Sequence, residues 1–363
     1  MKITLFISRT YGGGAERVTC NLANYLSEKG HQVEILVMAE CQESYYVRPD
    51  VKITPLLKDS EKKNGAYNGL IRIARLRKYM REHKEVDRYV VMLPKTTVMM
   101  LALAGNTKAK IIASERVDPA VYSNGIKRML RHYAKRAAGF VFQTEDARAW
   151  YGGTVRNCRT EVIPNAINPD FIRKPYEGQR IKRVVAAGRM TTQKNFDLLI
   201  NAFSKVADEF PEYTLTIFGE GPERQNLEER IKKLGLEDRV SMPGHTDHMP
   251  EELEISSLYV LSSDFEGMPN ALMEGMAVGL PCVSTNCPCG GPEFLIQDGV
   301  NGVLVPVGDA DKMAEAMKAL LIDEEKRNEL GKEAMKVQKT LAPEKIYKQW
   351  EEFIVNVCEE KIG

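Results

Sequence analysis

The sequence lacks the long apolar runs that mark membrane-spanning proteins. No run approaches the ~20 residues that a bilayer-spanning helix needs. The longest candidate, Val98 to Ala104, is far too short. The first eight residues predict a strand, and they lack the length and the small-residue cleavage site of a signal peptide. These absences favour a cytoplasmic protein.

Cysteine is scarce and irregularly spaced. The seven cysteines are Cys20, Cys41, Cys158, Cys282, Cys287, Cys289 and Cys358. An odd number without a framework spacing predicts a reducing compartment rather than a disulfide scaffold. The cluster from Cys282 to Cys289 offers three thiols, whereas a structural zinc site needs four ligands and usually takes them from paired spacings. No metal site is therefore expected there.

The net charge of +1 conceals an asymmetry between the two halves. Residues 1–175 carry 30 basic and 17 acidic residues, whereas the remainder carries 21 basic and 33 acidic residues. The basic excess is concentrated in helix-like stretches at 71–84 and 127–136, where apolar residues are interleaved. Such stretches are either solvated charged faces or amphipathic helices that bind an anionic membrane surface. No nucleic acid partner is expected.

The order of strand and helix patterns predicts an α/β protein. A length of 363 residues suggests two domains. Strand-like and helix-like runs alternate almost throughout, which is typical of parallel sheets covered by helices. The predicted strands lie at 2–8, 32–38, 51–56, 89–93, 110–114, 139–143, 160–163, 183–187, 213–218, 239–242, 258–262, 281–285 and 302–306. We therefore expect two Rossmann-like domains with parallel sheets facing a central cleft.

A turn-rich stretch from Pro164 to Gly178 interrupts this alternation. It is the best linker candidate, because proline, glycine and asparagine accumulate there. We place the first domain at 1–168 and the second at 169–342. The remaining segment, 343–363, begins with an amphipathic helix pattern and is expected to dock on the first domain.

A pair of glutamates, Glu266 and Glu274, flanks a Gly-Met-Pro-Asn break. A strand-like run precedes the pair and a helix-like run follows, so both acids are predicted at the carboxyl end of a strand, where open α/β sheets bind ligands. The backbone N–H groups of Met268, Asn270 and Ala271 would favour phosphate at the helix start. A single Glu is usually an exposed surface residue, but carboxylates beside phosphate-binding amides suit a sugar nucleotide.

Basic residues and glycine-rich turns follow the other strands of this half. Arg189 lies at a strand end and Lys194 precedes the next helix, so that two cations can neutralise a diphosphate. Further loops at 219–222, 242–244 and 290–293 follow three more predicted strands. Loops of this kind at successive strand ends predict a single ligand crevice.

Three consecutive glycines, Gly12 to Gly14, separate the first strand from the first helix. They permit close approach to a ligand at the helix N-terminus, and a plain tight turn is the alternative. A dinucleotide fingerprint needs G-x-G-x-x-G, but the third position is Arg17. This substitution argues against an NAD-dependent oxidoreductase, although Glu40 follows the second strand as a ribose-binding acid would.

Together, these motifs resemble those of the retaining GT-B glycosyltransferases of family 4. The resemblance covers most of the chain, including the glycine opening and the linker. The matching motifs of the second half are Arg189 with Lys194, Gly219-Glu220-Gly221-Pro222, Glu266 with Glu274, and Gly290-Gly291-Pro292-Glu293. The resemblance implies two Rossmann-like domains, the second of which binds the nucleotide sugar.

The resemblance also implies roles for the matching residues. Arg189 and Lys194 would bind the diphosphate and stabilise the leaving UDP, Glu266 would contact the donor sugar as the third catalytic residue, and Glu274 would hold the ribose. Other donor contacts are implied at Gly13, Gly14, Gly219, Met242, Gly267, Met268, Pro269 and Asn270. No cofactor and no metal are implied.

The chain departs from the family pattern in its first domain. Many members place a histidine there after about the fifth strand, but this region reads Ser114-Glu115-Arg116-Val117-Asp118-Pro119. Glu115 and Arg116 are candidates for the missing contact with sugar or acceptor. Asp309-Ala310-Asp311 has the letters of a metal-binding DxD, but it opens a helix, so a helix N-cap is expected.

We therefore expect a retaining hexosyl- or N-acetylhexosaminyltransferase. It would move a sugar from a UDP-sugar to a glycan or polyprenyl-diphosphate-linked acceptor in surface polysaccharide biosynthesis. The basic first half favours a peripheral position at the inner face of the cell membrane. A UDP-sugar epimerase of similar fold and a non-catalytic nucleotide-sugar-binding subunit are the alternatives, and the intact set of charged motif residues argues against the second.

Overall fold

The computed structural model describes residues 1–41, 44–105 and 110–357. The chain divides into two compact units. One unit contains residues 1–166 and the C-terminal segment that begins at Glu344, and the other is Ile167–Pro343. Residues 358–363 of the predicted docking segment, including Cys358, lie outside the described residues.

The first unit is built on a sheet of seven parallel strands. They are β1 (Lys2–Ile7), β2 (Gln32–Val37), β3 (Lys52–Pro55), β4 (Arg88–Met92), β5 (Ile111–Ser114), β6 (Gly139–Phe142) and β7 (Arg159–Val162). Their order across the sheet is β3-β2-β1-β4-β5-β6-β7. The inner strands are nearly continuous buried runs because helices cover both faces of a parallel sheet.

Helices connect the strands of the first unit. They are α1 (Gly14–Glu28), α2 (Gly65–Glu82), α3 (Pro94–Leu103), α4 (Asn124–Tyr133) and α5 (Glu145–Tyr151). Polar side chains fix two of the helix starts. The Asn64 side chain accepts from Tyr67 N at the start of α2, and Thr144 accepts from Ala147 N at the start of α5.

The second unit contains six parallel strands. They are β8 (Arg183–Ala187), β9 (Thr214–Phe218), β10 (Val240–Gly244), β11 (Leu258–Leu261), β12 (Cys282–Thr285) and β13 (Val303–Val305), in the order β10-β9-β8-β11-β12-β13. Its helices are α6 (Phe196–Ala207), α7 (Arg224–Lys233), α8 (Met249–Glu254), α9 (Asn270–Ala277), α10 (Gly291–Leu295), α11 (Ala310–Ile322), α12 (Glu324–Ala334) and α13 (Val337–Thr340). The apolar face of α6, including Leu199 and Phe203, lies in the core.

The terminal helix, α14 (Pro343–Asn356), packs on the first unit. Trp350 and Phe353 are fully buried there, and burial of such a side chain stabilises a fold by roughly 1.5–3 kcal/mol. A Cβ atom on Gly139, at the start of β6, would lie 2.8 Å from Phe353 Cζ, so glycine makes room for the ring. Arg88 on β4 also donates from Nε to the Ile354 carbonyl at 3.0 Å.

Each sheet has one point where its strand order reverses. This point lies between β1 and β4 in the first unit and between β8 and β11 in the second. Loops that leave neighbouring strands in opposite directions open a crevice at the carboxyl edge, and open α/β sheets bind ligands there. The motifs of the second half that follow β8 and β11 are therefore brought side by side.

The fold class predicted from the sequence is confirmed. All thirteen predicted strands occur within two residues of their predicted bounds, and every strand pairing in both sheets is parallel.

Candidate active site

Two loops meet at the switch point of the second sheet. One follows β8 and carries Arg189 and Lys194, and the other follows β11 and carries Glu266. Arg189 is exposed, whereas Lys194 is partly buried and Glu266 is buried. The strand order thus brings together the cation and the acid that the sequence separates by 72 positions.

Hydrogen bonds fasten these two loops to each other. The Ser262 hydroxyl donates to the Lys194 carbonyl at 2.8 Å, and Asp264 N donates to the Gln193 carbonyl at 2.9 Å. Asn195 adopts a left-handed conformation at φ +44° and donates from Nδ2 to Asp264 Oδ1 at 2.7 Å. Because both backbones take part, the loops form a single rigid support for the side chains they carry.

Lys194 and Glu266 form a largely buried ion pair on this support. Lys194 Nζ lies 2.6 Å from Glu266 Oε1, and the side chains are 16% and 9% exposed. The Ser263 hydroxyl donates to the same oxygen at 2.7 Å, and Gln193 Nε2 lies 3.3 Å from Oε2. Burying two charges costs several kcal/mol per ion and seldom adds net stability. The pair is therefore better explained by function than by folding.

The second acid of the motif lies on α9. Glu274 is 8% exposed, and Tyr259 on β11 is fully buried. Burial, followed by the charges of Cys282, Glu274 and Glu266, raises the pKa of Tyr259 well above its usual value. Tyr259 therefore stays neutral. A Cβ atom on Gly275 would lie 3.0 Å from the Tyr259 ring, so glycine lets α9 approach β11 closely.

Pro269 is the N-cap residue of α9, and Asn270 is its first residue. Met268 is 6% exposed, and Gly267 and Pro269 are also buried. The N-terminus of α9 therefore starts beside Glu266, as the spacing of the motif predicts. A helix N-terminus carries a partial positive charge that favours an anion.

Glycine allows the loops of this edge to pack directly on one another. Gly219 has φ +131°, and a Cβ atom there would lie 2.0 Å from the Gly188 carbonyl oxygen. A Cβ atom on Gly291 would lie 1.9 Å from the Gly267 carbonyl oxygen. Larger residues at these positions would push apart the loops that carry the charged side chains.

The carboxyl-terminal part of β10 is held by Arg224. Its Nη2 donates to the Met242 carbonyl at 2.7 Å, and its Nη1 donates to Glu220 Oε1 at the same distance. Gly219 N donates to the Gly244 carbonyl at 2.8 Å. Met242 is thus attached to the glycine loop after β9. The sequence analysis did not single out Arg224, although its position five residues after Gly219 places it in the first turn of α7.

In the first unit, Gly13 is the N-cap residue of α1 and Gly14 its first residue. The buried Glu16 carboxylate folds back over this start, because its Oε2 lies 2.3 Å from where a Gly13 Cβ atom would be. Arg9 Nε donates to Glu16 Oε1 at 3.4 Å. The N-terminus of α1 thus has the Glu16 carboxylate beside it, and this carboxylate would compete with a phosphate for the same position.

Glu115 and Arg116 are both buried beyond the end of β5. Glu115 accepts from the hydroxyls of Tyr122 and Tyr151 at 2.5 and 2.6 Å. Burial raises the pKa of Glu115 to about 6, against the lowering effect of these hydrogen bonds. Burial also lowers the pKa of Arg116 to about 10. The Arg116 guanidinium donates to Asn165 and lies 5.7 Å above the Trp350 ring.

Within residues 1–41, 44–105 and 110–357, no three or more His, Cys, Asp or Glu side chains are placed to hold a metal ion. The aspartate pair at 309–311 opens α11, where Asp309 accepts from Lys312 N at 2.9 Å as an N-cap.

Cys287 is buried, and burial raises the pKa of its thiol to about 12. In the same ranges, no helix combines the length and apolar character needed to cross a membrane.

Two Rossmann-like units, with acids, cations and glycine loops at the switch point of the second, define a GT-B type glycosyltransferase. The model of the glycosyl transferases group 1 family matches residues 169–337, and that of glycosyltransferase family 4 matches residues 12–171. The chain belongs to this family of GT-B group 1 glycosyltransferases.

Individual relatives extend this result. The chain is 28% identical to an α-1,4-N-acetyl-D-galactosaminyltransferase of Campylobacter jejuni that acts on a glycan linked to PP-undecaprenol, over 98% of this chain and 99% of the relative. It is 31% identical to an exopolysaccharide phosphotransferase of Streptomyces coelicolor over 75% of this chain, but it spans only 29% of that relative's length.

Solved structures show the same fold. Anabaena HepE in complex with UDP and glucose matches 98% of this chain and 100% of that protein, with a TM-score of 0.81 and 18% identity. A point mutant of Staphylococcus aureus TarM in complex with fondaparinux, α-GlcNAc-glycerol and UDP matches 97% of this chain and 99% of that protein, with a TM-score of 0.81 and 15% identity. At such identities the likeness establishes the fold alone.

Proposed function

We propose that this glycosyltransferase moves a hexose or N-acetylhexosamine from a UDP-sugar to a glycan or polyprenyl-diphosphate-linked acceptor, with retention of anomeric configuration. The observation that carries the proposal is the largely buried Lys194–Glu266 pair at the switch point of the second sheet, with Glu274 buried on the adjoining helix. A cation beside carboxylates at this edge matches the chemistry of a sugar diphosphate.

The leaving group determines what the site must do. Breaking the bond between the sugar and the diphosphate leaves negative charge on UDP, and Arg189 and Lys194 supply cations for it. Preorganised charge of this kind is usually the largest single contribution to catalysis. We propose that these cations replace a divalent metal and that no other cofactor is needed.

The two glutamates divide the recognition of the donor. Glu266 accepts from hydroxyls of the donor sugar, and Glu274 accepts from the ribose hydroxyls. We propose that Met268, Pro269 and Asn270 place the N-terminus of α9 towards the phosphates and that Met242, on β10, lies near the uracil base. A site that hydrogen-bonds hydroxyls discriminates strongly against analogues that lack them.

Charge and exposed apolar residues support an acceptor at an anionic membrane. On α2, the exposed Tyr67, Leu70 and Ile73 recur at three-residue spacing, and Leu70 is 70% exposed. The exposed bases Arg77 and Arg81 continue the same helix. An apolar stripe with flanking cations suits insertion into the headgroup region of anionic lipid. The C. jejuni relative, whose acceptor is linked to PP-undecaprenol, also supports an acceptor at the membrane.

The experiment is a transfer assay with purified protein, four UDP-sugars (UDP-glucose, UDP-galactose, UDP-GlcNAc and UDP-GalNAc) and membranes that contain lipid-linked glycans. We expect one UDP-sugar to release UDP only when membranes are present, and NMR to show the α-anomer in the product. A β-linked product would overturn the retaining mechanism. Isomerised UDP-sugar without membranes would indicate an epimerase, and no turnover of any donor would favour a non-catalytic subunit.

A further inference from the structure

Ser263 lies at the centre of the proposed donor site without being part of either glutamate motif. It follows β11 by two residues and is fully buried. Its hydroxyl donates to Glu266 Oε1 at 2.7 Å, and its carbonyl accepts from the Thr285 hydroxyl at 2.6 Å. Backbone and side chain of Ser263 are therefore both fixed, which directs the hydroxyl at the acid.

Lys194 and Ser263 share a single oxygen of Glu266. Lys194 Nζ contacts Oε1 at 2.6 Å, while Gln193 Nε2 reaches the other oxygen at 3.3 Å. The same lysine is the cation proposed for the donor diphosphate. Each oxygen of Glu266 thus has a neutral donor, and the charged donor lies on Oε1 only.

Donor binding offers Lys194 a second anionic partner besides Glu266. A diphosphate carries more negative charge than a carboxylate, so it draws the Lys194 ammonium towards itself. Glu266 would then remain a buried carboxylate with a weakened ion pair, and such a group is costly unless other hydrogen bonds satisfy it. The neutral donors are the groups that stay in place, because the diphosphate attracts the ammonium and not an uncharged hydroxyl or amide, and Gln193 Nε2 also donates to the Phe265 carbonyl at 2.9 Å.

On the basis of the proposed function, we propose that Ser263, assisted by Gln193, is a positioning residue for the donor sugar. It keeps the Glu266 carboxylate in place while Lys194 turns from Glu266 to the diphosphate. Ser263 itself touches neither sugar nor phosphate. Its loss should therefore weaken the binding of a UDP-sugar more than the binding of UDP, because only the sugar contacts Glu266.

The test compares Ser263→Ala with wild type by titration calorimetry and by kinetics. The probes are UDP and the same four UDP-sugars. We expect the Kd of UDP to rise by less than the Kd of the UDP-sugar, because the nucleotide draws Lys194 away from Glu266 but makes no contact with Glu266 itself. We expect the UDP-sugar that wild type turns over to lose about tenfold or more in kcat/KM, since a hydrogen bond to a charged group is lost.

Ser262→Ala is the matched control. Its hydroxyl holds the Lys194 backbone instead of Glu266, so this variant should weaken UDP and UDP-sugar together. Gln193→Ala removes the partner of the other Glu266 oxygen from a partly exposed position. It should reproduce the sugar-selective loss, and it decides the question if Ser263→Ala fails to fold.

Equal weakening of UDP and UDP-sugar in Ser263→Ala, or no change in either, would overturn the positioning role while leaving the donor site intact. Wild type that binds none of these probes would overturn the proposed function itself, and the inference with it.

Discussion

The Lys194 ammonium contacts the Glu266 carboxylate at 2.6 Å in the second unit. The cation assigned to the donor diphosphate and the acid assigned to the donor sugar are therefore each other's partner in this structure. Donor binding must exchange a carboxylate for a diphosphate on the same lysine. This exchange makes the free energies of nucleotide binding and of sugar binding separable by mutation.

The variant Glu266→Gln should separate the effect on nucleotide binding from the effect on sugar transfer. Removing the negative charge frees Lys194 for phosphate, so UDP should bind at least as tightly as to wild type. Transfer should fall by a factor of about 100 or more, because preorganised charge at the reacting sugar is lost. Calorimetry with UDP and initial rates with the UDP-sugar measure the two effects. A parallel loss of UDP affinity and rate would contradict this assignment.

Gly291→Ala should weaken the donor site through the backbone. The added methyl group would lie 1.9 Å from the Gly267 carbonyl oxygen and must displace that loop. We expect a loss of unfolding free energy of about 1–3 kcal/mol, as for other overpacked sites, and weaker UDP-sugar binding. Urea unfolding and calorimetry report the two changes.

Gly69→Ala is the control for this substitution. Gly69 lies within α2, and a Cβ atom there meets nothing within 4 Å. Replacing an open helix glycine should stabilise the protein by roughly 0.5–1 kcal/mol. If the two substitutions changed the unfolding free energy and UDP-sugar binding equally, the contact between Gly291 and Gly267 would not be what supports the donor site.

Glu115 should make stability depend on pH. Its pKa is raised from 4.5 to about 6 in the folded protein, mainly by burial. The unfolded chain therefore releases this proton first as pH rises, and the folded state loses stability between about pH 4.5 and 6. From this shift, the loss is on the order of 2 kcal/mol.

Glu115→Gln removes the titrating group. The unfolding free energy of wild type relative to Glu115→Gln should fall as pH rises from 4.5 to 7, and urea melts across this range measure the difference. A constant difference would mean that Glu115 titrates alike in both states.

Leu70→Glu combined with Ile73→Glu should reduce binding to anionic vesicles. The two side chains are 70% and 43% exposed, so stability should change by less than about 0.5 kcal/mol. Co-sedimentation with phosphatidylglycerol vesicles should show at least a severalfold loss. Ile322→Glu, at a 73% exposed position of the second unit, is the control that should bind as wild type. Unchanged vesicle binding by the α2 variant would rule out this stripe as the membrane contact.

The fold was predictable because its signals are local. Each parallel strand, such as β6 or β11, is a short apolar run bounded by turn residues, and the parallel pairing follows from the intervening helices. The Glu266 and Glu274 motif was recognisable because strand, loop and helix follow one another directly in the chain.

The fine structure of the site was not predictable in this way. Gln193 and Asn195 act through partners about 70 positions away in the chain, whereas Ser263 acts through Glu266 three residues on. Their types are common in any loop, so only the switch-point geometry reveals the fastened loops. Two consecutive serines directly after a buried strand were the one available signal, because a buried hydroxyl needs a partner.

In the first unit, by contrast, the sequence singled out two residues but did not predict what surrounds them. Glu115 and Arg116 looked like acceptor contacts in the sequence, and that role stays a prediction. The structure adds that tyrosine hydroxyls and the Trp350 ring already surround them, which no local pattern indicates.

The most direct test of the donor site is thermal unfolding of wild type and Glu274→Ala with UDP, GDP, ADP and NAD, each with and without EDTA. At about 100 times its Kd, a ligand adds ~2.7 kcal/mol of stability. The account predicts that UDP stabilises wild type equally with and without EDTA and that Glu274→Ala abolishes the effect. Stabilisation by GDP, ADP or NAD in place of UDP, or by none of them, would contradict it.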